Sequence, residues 1–492
     1  MRPWLLRVAV LATTLSFGVG CGSGDGGSSH GDPFAAEVGG FRDAALVPER
    51  SGALAVGGWG GLDEAQRPLI ALLDDSGQPR WTASFAPIQA SGTVETRGAV
   101  NALAAADDGT VIAAGRLVGD DDQTQGVVAA FAPGGRPLWQ SVAFPPGASE
   151  VTALAIDGDA VYAAGWAFLL TRTDVTGDLR AVLLSRLDLA TGEVVWHDLA
   201  ASDLDPNQLT TAFAVDVAGD GRVGVAGTAS TPASTADWFA GVWSADGELQ
   251  WSDLADGSGG LGGAGVGDFD VARKARFDAS GDLYVIGDVM EQGVGADIQA
   301  VRYALDGRRR WTRHSGSDPG VTTASLDRGT ALAVSGARVW VGGTIERASD
   351  GTVLPEAVVA QLDADTGAPL WTADLDDLSQ SGEDVADVAI APDGETLVAG
   401  SLSSSGVGKD LVIHQAGGDG TPRWTTAVER PGTDTLDDDH ARRVLVDEAG
   451  EVFAVGTLAL PDGRPGWAAV ALDASGRLRW SYPAESVTQV TP

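Results

Sequence analysis

From residue 41 onward the chain is built of short apolar runs, seven to nine residues long, rich in Val, Ala, Leu and aromatics and separated by Gly, Asp and Pro. In one stretch these runs are Val100 to Ala106, Thr110 to Leu117, Gly126 to Ala132 and Arg136 to Phe144. Their length, composition and flanking turn residues predict β-strands, and no segment carries a helical period. Asp108-Gly109 and Gly134-Gly135 are tight-turn dipeptides that suit antiparallel hairpins. Val127 to Phe131 is apolar on both faces, which predicts a sheet covered on both sides.

The pattern has a period. Trp81, Trp139, Trp196, Trp251, Trp311, Trp371, Trp424 and Trp480 are spaced by 58, 57, 55, 60, 60, 53 and 56 residues, and each has Gly four positions earlier. A second marker is a pair of glycines six apart, as in Gly52/Gly58, Gly109/Gly115, Gly336/Gly342 and Gly394/Gly400; in the third unit Asp159 takes the first place before Gly165. Four strands in about 57 residues match one propeller blade. Eight units fit between Phe41 and Tyr482 with no linker between them. The expected fold is therefore all-β: one eight-bladed β-propeller with four antiparallel strands per blade. The eight repeated tryptophans are expected to dock blade against blade, a packing role and not a chemical one.

The start of the chain differs from the rest. Arg2 and Arg7 precede an apolar run from Val8 to Val19, too short to span a bilayer comfortably, which reads as a secretory signal. The run ends in Gly18-Val19-Gly20-Cys21, and Cys21 is the sole cysteine of the 492 residues. This resembles a bacterial lipoprotein signal peptide, with Gly18 where Leu is usual. The resemblance implies cleavage before Cys21, lipidation of its thiol, and a tether starting in the polar stretch Gly22 to Pro33. The expected organisation is a signal peptide over 1–20, a lipid-anchored tether over 21–40, the propeller over 41–486 and a tail over 487–492. The expected location is the cell envelope, at the outer membrane or cell surface, held by the lipid alone; an ordinary secretory signal is the other reading. With 32 Lys plus Arg against 68 Asp plus Glu, the net charge of −36 repels phosphate backbones and excludes nucleic-acid binding as a function class.

The run Gln361 to Trp371, with Asp363, Thr366 and Gly367 before the tryptophan, resembles the tryptophan-docking repeat of quinoprotein-like propellers, as does Leu187 to Trp196. Phe277 to Gly287 is similar to the core of secreted bacterial β-propeller repeats of unassigned function. The quinoprotein resemblance implies pyrroloquinoline quinone, Ca²⁺, a vicinal disulfide and a catalytic Asp in the dehydrogenases of that fold. A chain with one cysteine cannot form the disulfide, so no such cofactor is expected. The eight-bladed lipoprotein of the outer-membrane barrel-assembly machinery is the nearer analogue in anchor and shape, and it binds partners without catalysis.

Other chemistry is sparse. Gly260 to Gly265 satisfies G-x-G-x-x-G but leads into a strand pattern instead of a helix that would hold a pyrophosphate. The five histidines have no i, i+4 pair for zinc, and no G-x-S-x-G elbow is present. Acidic clusters stand out: Asp120 to Asp122; Asp374, Asp376 and Asp377; and Asp434, Asp437, Asp438 and Asp439 beside His440. Oxygen-rich loops hold Ca²⁺, so that last group is the candidate metal site, although no complete Ca²⁺-loop motif occurs. In a four-stranded meander A-B-C-D, the A–B and C–D turns share one rim and here are short. The B–C and D–A loops share the other and are long, including Trp59 to Arg67, Ala167 to Asp178, Thr344 to Pro355 and Pro431 to His440. Variable loops on a rigid scaffold are where binding is placed. That rim also carries all three acidic clusters, which makes an acidic loop rim the expected working face, together with Trp59 and Trp166 as candidate exposed anchors, unless they pack under their own loops. The reading is a monomeric, non-catalytic scaffold that binds a protein or glycan. The rival is an enzyme, a hydrolase or less readily a dehydrogenase, with carboxylates converging on the channel. The scaffold predicts a broad patch without a deep polar pocket; the enzyme predicts the opposite.

Overall fold

A computed structural model describes residues 39–48, 52–61, 66–87, 97–119, 123–144, 148–169, 179–200, 210–231, 234–255, 270–291, 295–315, 325–349, 352–375, 384–403, 409–429, 439–460, 464–482 and 488–490. The strands form eight separate sheets, each built on an antiparallel meander of four consecutive strands; in the fifth, the two-residue strand Ser325–Leu326 also pairs in parallel with Gly295–Tyr303. Blade 1 comprises Gly39–Leu46, Leu54–Gly60, Arg67–Leu73 and Pro79–Ala83, here strands A to D. Blade 8 comprises His440–Val446, Val452–Ala459, Pro465–Leu472 and Leu478–Tyr482. The A strands touch one another in succession, and that of blade 8 touches that of blade 1, so the ring closes with the A strands around its axis. The eight-bladed expectation is met. In blade 2 the observed strands are Arg97–Ala105, Val111–Val118, Thr124–Phe131 and Pro137–Val142, within a few residues of the expected runs.

Blades 1 and 8 each keep all four of their own strands, so no shared strand closes the ring. Side chains do it: Phe41 lies against Trp467 at 4.8 Å and Tyr482 at 6.5 Å between ring centroids. Eight apolar clusters fill the eight gaps between neighbouring sheets, which is why many strands are buried on both faces.

The repeated tryptophans occupy the outer part of these gaps. Each sits over the turn glycine of the next blade: Trp81 on Gly135, and so on round the ring to Trp480 on Gly77. These glycines have φ between +65° and +82°. A Cβ on any of them would approach the indole to between 2.4 and 2.7 Å, so both the turn and the tryptophan require glycine here. In six blades the indole N–H also donates to a backbone carbonyl of that turn, as Trp311 does to Ala364 at 2.9 Å and Trp139 to Leu189 at 2.8 Å.

The second glycine of each unit has a different cause. Every A strand carries a one-residue β-bulge, at Arg42, Asn101, Thr152, Phe213, Arg273, Thr330, Ala386 and Arg442. The bulge drives an A-strand carbonyl towards strand B, where a Cβ would lie 1.8 to 2.1 Å from the oxygen at Gly58, Gly115, Gly165, Gly227, Gly287, Gly343, Gly400 or Gly456. This corrects the pairing read from sequence in two units. In blades 3 and 6 the A–B turn is a two-residue loop led by left-handed Gly158 or Gly336, so the marker pairs are Gly158/Gly165 and Gly336/Gly343, seven apart.

Two loop assignments also change. Thr344 to Pro355 is mostly strand: Arg338–Ser349 and Thr352–Asp363 pair along their whole length as an extended hairpin. Thr488–Val490, within the expected tail, forms a fifth strand on the outer edge of blade 7 against Ala427 to Glu429 and so covers that edge.

Candidate functional site

The bulges place one side chain per blade around the axis on the B–C and D–A face. Five of them, Arg42, Asn101, Thr152, Phe213 and Arg442, line a cavity of about 940 Å³. Its wall is completed from blades 1, 3 and 8 by Phe41, Trp59, Gln66, Glu150, His440, Thr457, Ala459 and Pro465. The cavity therefore opens on the long-loop face. It is a wide-mouthed hollow of mixed lining, narrower than the broad patch expected of a scaffold and without the deep polar enclosure expected of an enzyme.

A hydrogen-bond relay fixes its floor. Arg42 donates to Asn101 Oδ1, and Asn101 Nδ2 donates to Glu150 Oε1 and to the Val151 carbonyl, both at 2.8 Å. Arg116 lies 3.6 Å from Glu150. Burial lowers the pKa of Arg42, and the neighbouring guanidiniums of Arg116 and Arg442 act in the same direction against Glu150. Arg180 lies over the Trp166 ring at 4.1 Å, and burial brings its pKa to about 10. In a chain of net charge −36 this quadrant is locally cationic.

Deeper in the lumen, beyond the bulges, the A strands carry further charged side chains. Asp43, Asp216 and Asp387 each accept a backbone N–H of the next blade, from Leu103 at 2.9 Å, Phe277 at 2.7 Å and Val444 at 3.2 Å. Arg443 lies 3.5 Å from Asp43 and 3.6 Å from Asp387, and Arg276 lies 4.0 Å from Asp216. Burial raises the pKa of Asp216 despite Arg276 and the Phe277 N–H. Lys274 stands among them, lowered by burial, with Asp387 and Asp43 opposing and Arg443 and Arg276 reinforcing. Carboxylates do converge on the channel, but each of these three holds the neighbouring blade in place.

The expected site residues fall into three groups. Trp59 is half-buried and forms part of the cavity wall. Trp166 is half-buried under Arg180 with Phe168 at 5.3 Å, so neither tryptophan projects as a free anchor. Asp439 is buried, and its Oδ1 accepts the Ala459 N–H at 2.6 Å; Asp374 pairs with Arg347 at 2.9 Å. Cys21, Asp120 to Asp122, Asp376, Asp377, Asp434, Asp437 and Asp438 lie outside the described residues. Among the described residues no group of three or more His, Cys, Asp or Glu is arranged to hold a metal ion. Many other acids serve the turns of the opposite rim: the Thr191 hydroxyl and N–H hold Asp188 below the usual carboxylate range, and Ser475 does the same for Asp473.

Sequence reasoning missed Arg42, Asn101, Glu150 and Arg442. The available signal was a column: aligned on the repeat, the bulge position is occupied by Arg, Asn, Thr or Phe in seven of the eight units, Ala386 being the exception, in strands otherwise rich in Ala, Val and Leu.

No protein-family model and no curated protein matches this sequence. Solved structures do resemble it in shape. Sqt1 from Chaetomium thermophilum aligns at TM-score 0.53 and 13% identity, covering 90% of this chain and 98% of Sqt1. Sqt1 bound to the N-terminus of the ribosomal protein L10 aligns at TM-score 0.52 and 13% identity, covering 90% of this chain and 99% of that one. Quinohemoprotein alcohol dehydrogenase from Comamonas testosteroni aligns at TM-score 0.48 and 11% identity, covering 92% of this chain and 76% of its own. At such identities the likeness to Sqt1 is one of fold and nothing finer.

Proposed function

We propose that this protein is a non-catalytic binding module of the cell envelope, anchored through lipidated Cys21, whose B–C and D–A face captures a protein partner. The observation that carries the reading is the mouth cavity. It lies on the long-loop face, takes residues from five blades, and combines an aromatic wall at Trp59 with guanidinium donors. The engagement of Sqt1 with a segment of another protein supports the idea that a ring of this shape serves such a role. The commitment of Asp43, Asp216 and Asp387 to neighbouring backbone amides favours binding over hydrolysis, which needs a carboxylate free to take or give a proton.

The test is site-specific photocrosslinking of the full-length protein in its native membranes. A photoreactive residue replacing Trp59 is expected to give a discrete adduct, while one replacing Asp306, in an exposed turn of the opposite rim, gives none. Equal crosslinking from both rims would overturn the assignment of the face. Incorporation of a labelled fatty acid, lost in Cys21→Ser, tests the anchor; unchanged labelling in that variant would remove it.

A further inference from the structure

We infer that the mouth cavity is a carboxylate site, taking a small organic acid or a peptide chain end whose apolar or aromatic body rests against Trp59 and Phe213. The inference rests on the proposed binding role of this face and names the chemistry recognised there.

Charge is the first argument. Arg42 and Arg442 line the cavity, Arg116 adjoins it, and among the described residues the one carboxylate in the wall, Glu150, is already engaged by Asn101 and Arg116. Two neighbouring arginines around the axis do have acidic partners: Arg273, in the same bulge column, meets Asp288 at 2.6 Å, and Arg443, one residue after Arg442, lies between Asp43 and Asp387. Arg42 instead donates to the neutral Asn101 amide oxygen. Among the described residues the exposed Arg442 guanidinium has no ion pair. Two such groups within electrostatic reach of each other repel, and a bound anion relieves that repulsion.

Shape is the second argument. A planar guanidinium presents parallel N–H donors that match the two oxygens of a carboxylate. A hollow of about 940 Å³ is in the range that encloses a small molecule or a few residues of peptide. Phe213 keeps 40% of its surface exposed on the cavity wall, an apolar area that the body of such a ligand would cover.

Isothermal titration of the lipidated mature chain in detergent tests this, with hippurate as the probe. Its carboxylate and aromatic ring are joined by an amide, and hippuramide is the uncharged match. Saturable hippurate binding is expected, with hippuramide and the Arg442→Gln variant each weaker by about tenfold or more, the loss of a charge-assisted bond. Arg136→Gln on the opposite rim is expected to leave the affinity unchanged, and matching melting midpoints show that both variants fold. Acetyl-Ala-Phe binding more tightly than hippurate assigns a peptide chain end; the reverse order assigns a free acid. The inference is overturned by equal binding of hippurate and hippuramide, by unchanged affinity in Arg442→Gln, by phosphate binding without hippurate binding, or by no saturation up to about 10 mM. If hippurate fails while crosslinking still selects the Trp59 face, the carboxylate site falls and the module stands. If crosslinking fails while hippurate binds, the module falls and the cavity is a site for a free acid.

Discussion

Replacing Trp311 by Ala tests the physical account of the ring most directly. Trp311 is among the most buried of the docking tryptophans, with 9% of its surface exposed. It lies edge-on to Tyr284 at 5.9 Å, donates to the Ala364 carbonyl at 2.9 Å and covers Gly367 of the next blade. Removing about 200 Å² of apolar surface from water is worth about 5 kcal/mol as an upper bound. The lost hydrogen bond adds about 1 kcal/mol, and partial collapse of the cavity takes some back. Measured tryptophan truncations in cores suggest a net loss of about 3 to 5 kcal/mol. Trp371 holds the same place in the next gap but is only half-buried, with its indole bond at 3.1 Å, so Trp371→Ala should cost less, about 1 to 3 kcal/mol. Urea unfolding of the soluble fragment beginning at Gly22, followed by far-ultraviolet circular dichroism, reads both. An unchanged midpoint for Trp311→Ala, or a larger loss at Trp371 than at Trp311, would refute blade docking as the role of this residue.

Three further outcomes are expected. Gly400→Ala, whose Cβ would stand 2.0 Å from the Asp384 carbonyl, should lower stability by about 2 kcal/mol or more, whereas Gly418→Ala, with no atom within 4 Å, should stay within about 0.5 kcal/mol; equal midpoints for the two would dismiss the bulge account. Burial takes the His414 pKa to about 4, below its unfolded value, so the folded state binds protons less readily. Its contribution is then complete above about pH 6.5 and is lost as the pH falls towards 4, on the order of 3 kcal/mol; His414→Gln should flatten that part of the stability profile, and an unaltered slope would count against it. Because the Asp439 carboxylate is engaged by the Ala459 N–H, EDTA is expected to leave the melting midpoint in place, and a fall reversed by Ca²⁺ would assign a metal to the acidic loops.

What the sequence makes legible follows from where each constraint acts. The tryptophan and its glycine four residues earlier lie within one turn and strand, so their geometry repeats as a fixed spacing and the blade count can be read directly. The bulge glycine is less legible because its partner is a carbonyl on the neighbouring strand. A two-residue A–B loop in place of a three-residue one shifts the spacing by one, which is how Gly343 and Gly158 escape a six-residue rule. The extended hairpin ending at Ser349 and Thr352 reads as a loop because Glu346, Arg347, Ser349, Asp350 and Gly351 interrupt the apolar run with a turn-like composition.

The cavity is hardest to read, for a reason specific to closed rings. Its side chains come from blades 8, 1, 2, 3 and 4, and blade 8 meets blade 1 only when the circle closes, so Arg442 and Arg42 are 400 residues apart in sequence and neighbours around the axis. Composition points the other way: a net charge of −36 suggests an acidic working face, yet many described acids are spent on turns and inter-blade amides, while Arg442, with no ion pair among the described residues, stands at the mouth. Net charge describes what approaches the molecule from a distance; recognition depends on the few charges whose partners the fold leaves out. A ring that engages many of its carboxylates internally, keeps a net charge of −36 and leaves Arg442 open at the mouth is arranged to repel anionic surfaces broadly while admitting one small anionic group at the centre. That combination predicts rising affinity for acidic macromolecules as salt screens the outer surface, with the opposite dependence for a small carboxylate probe.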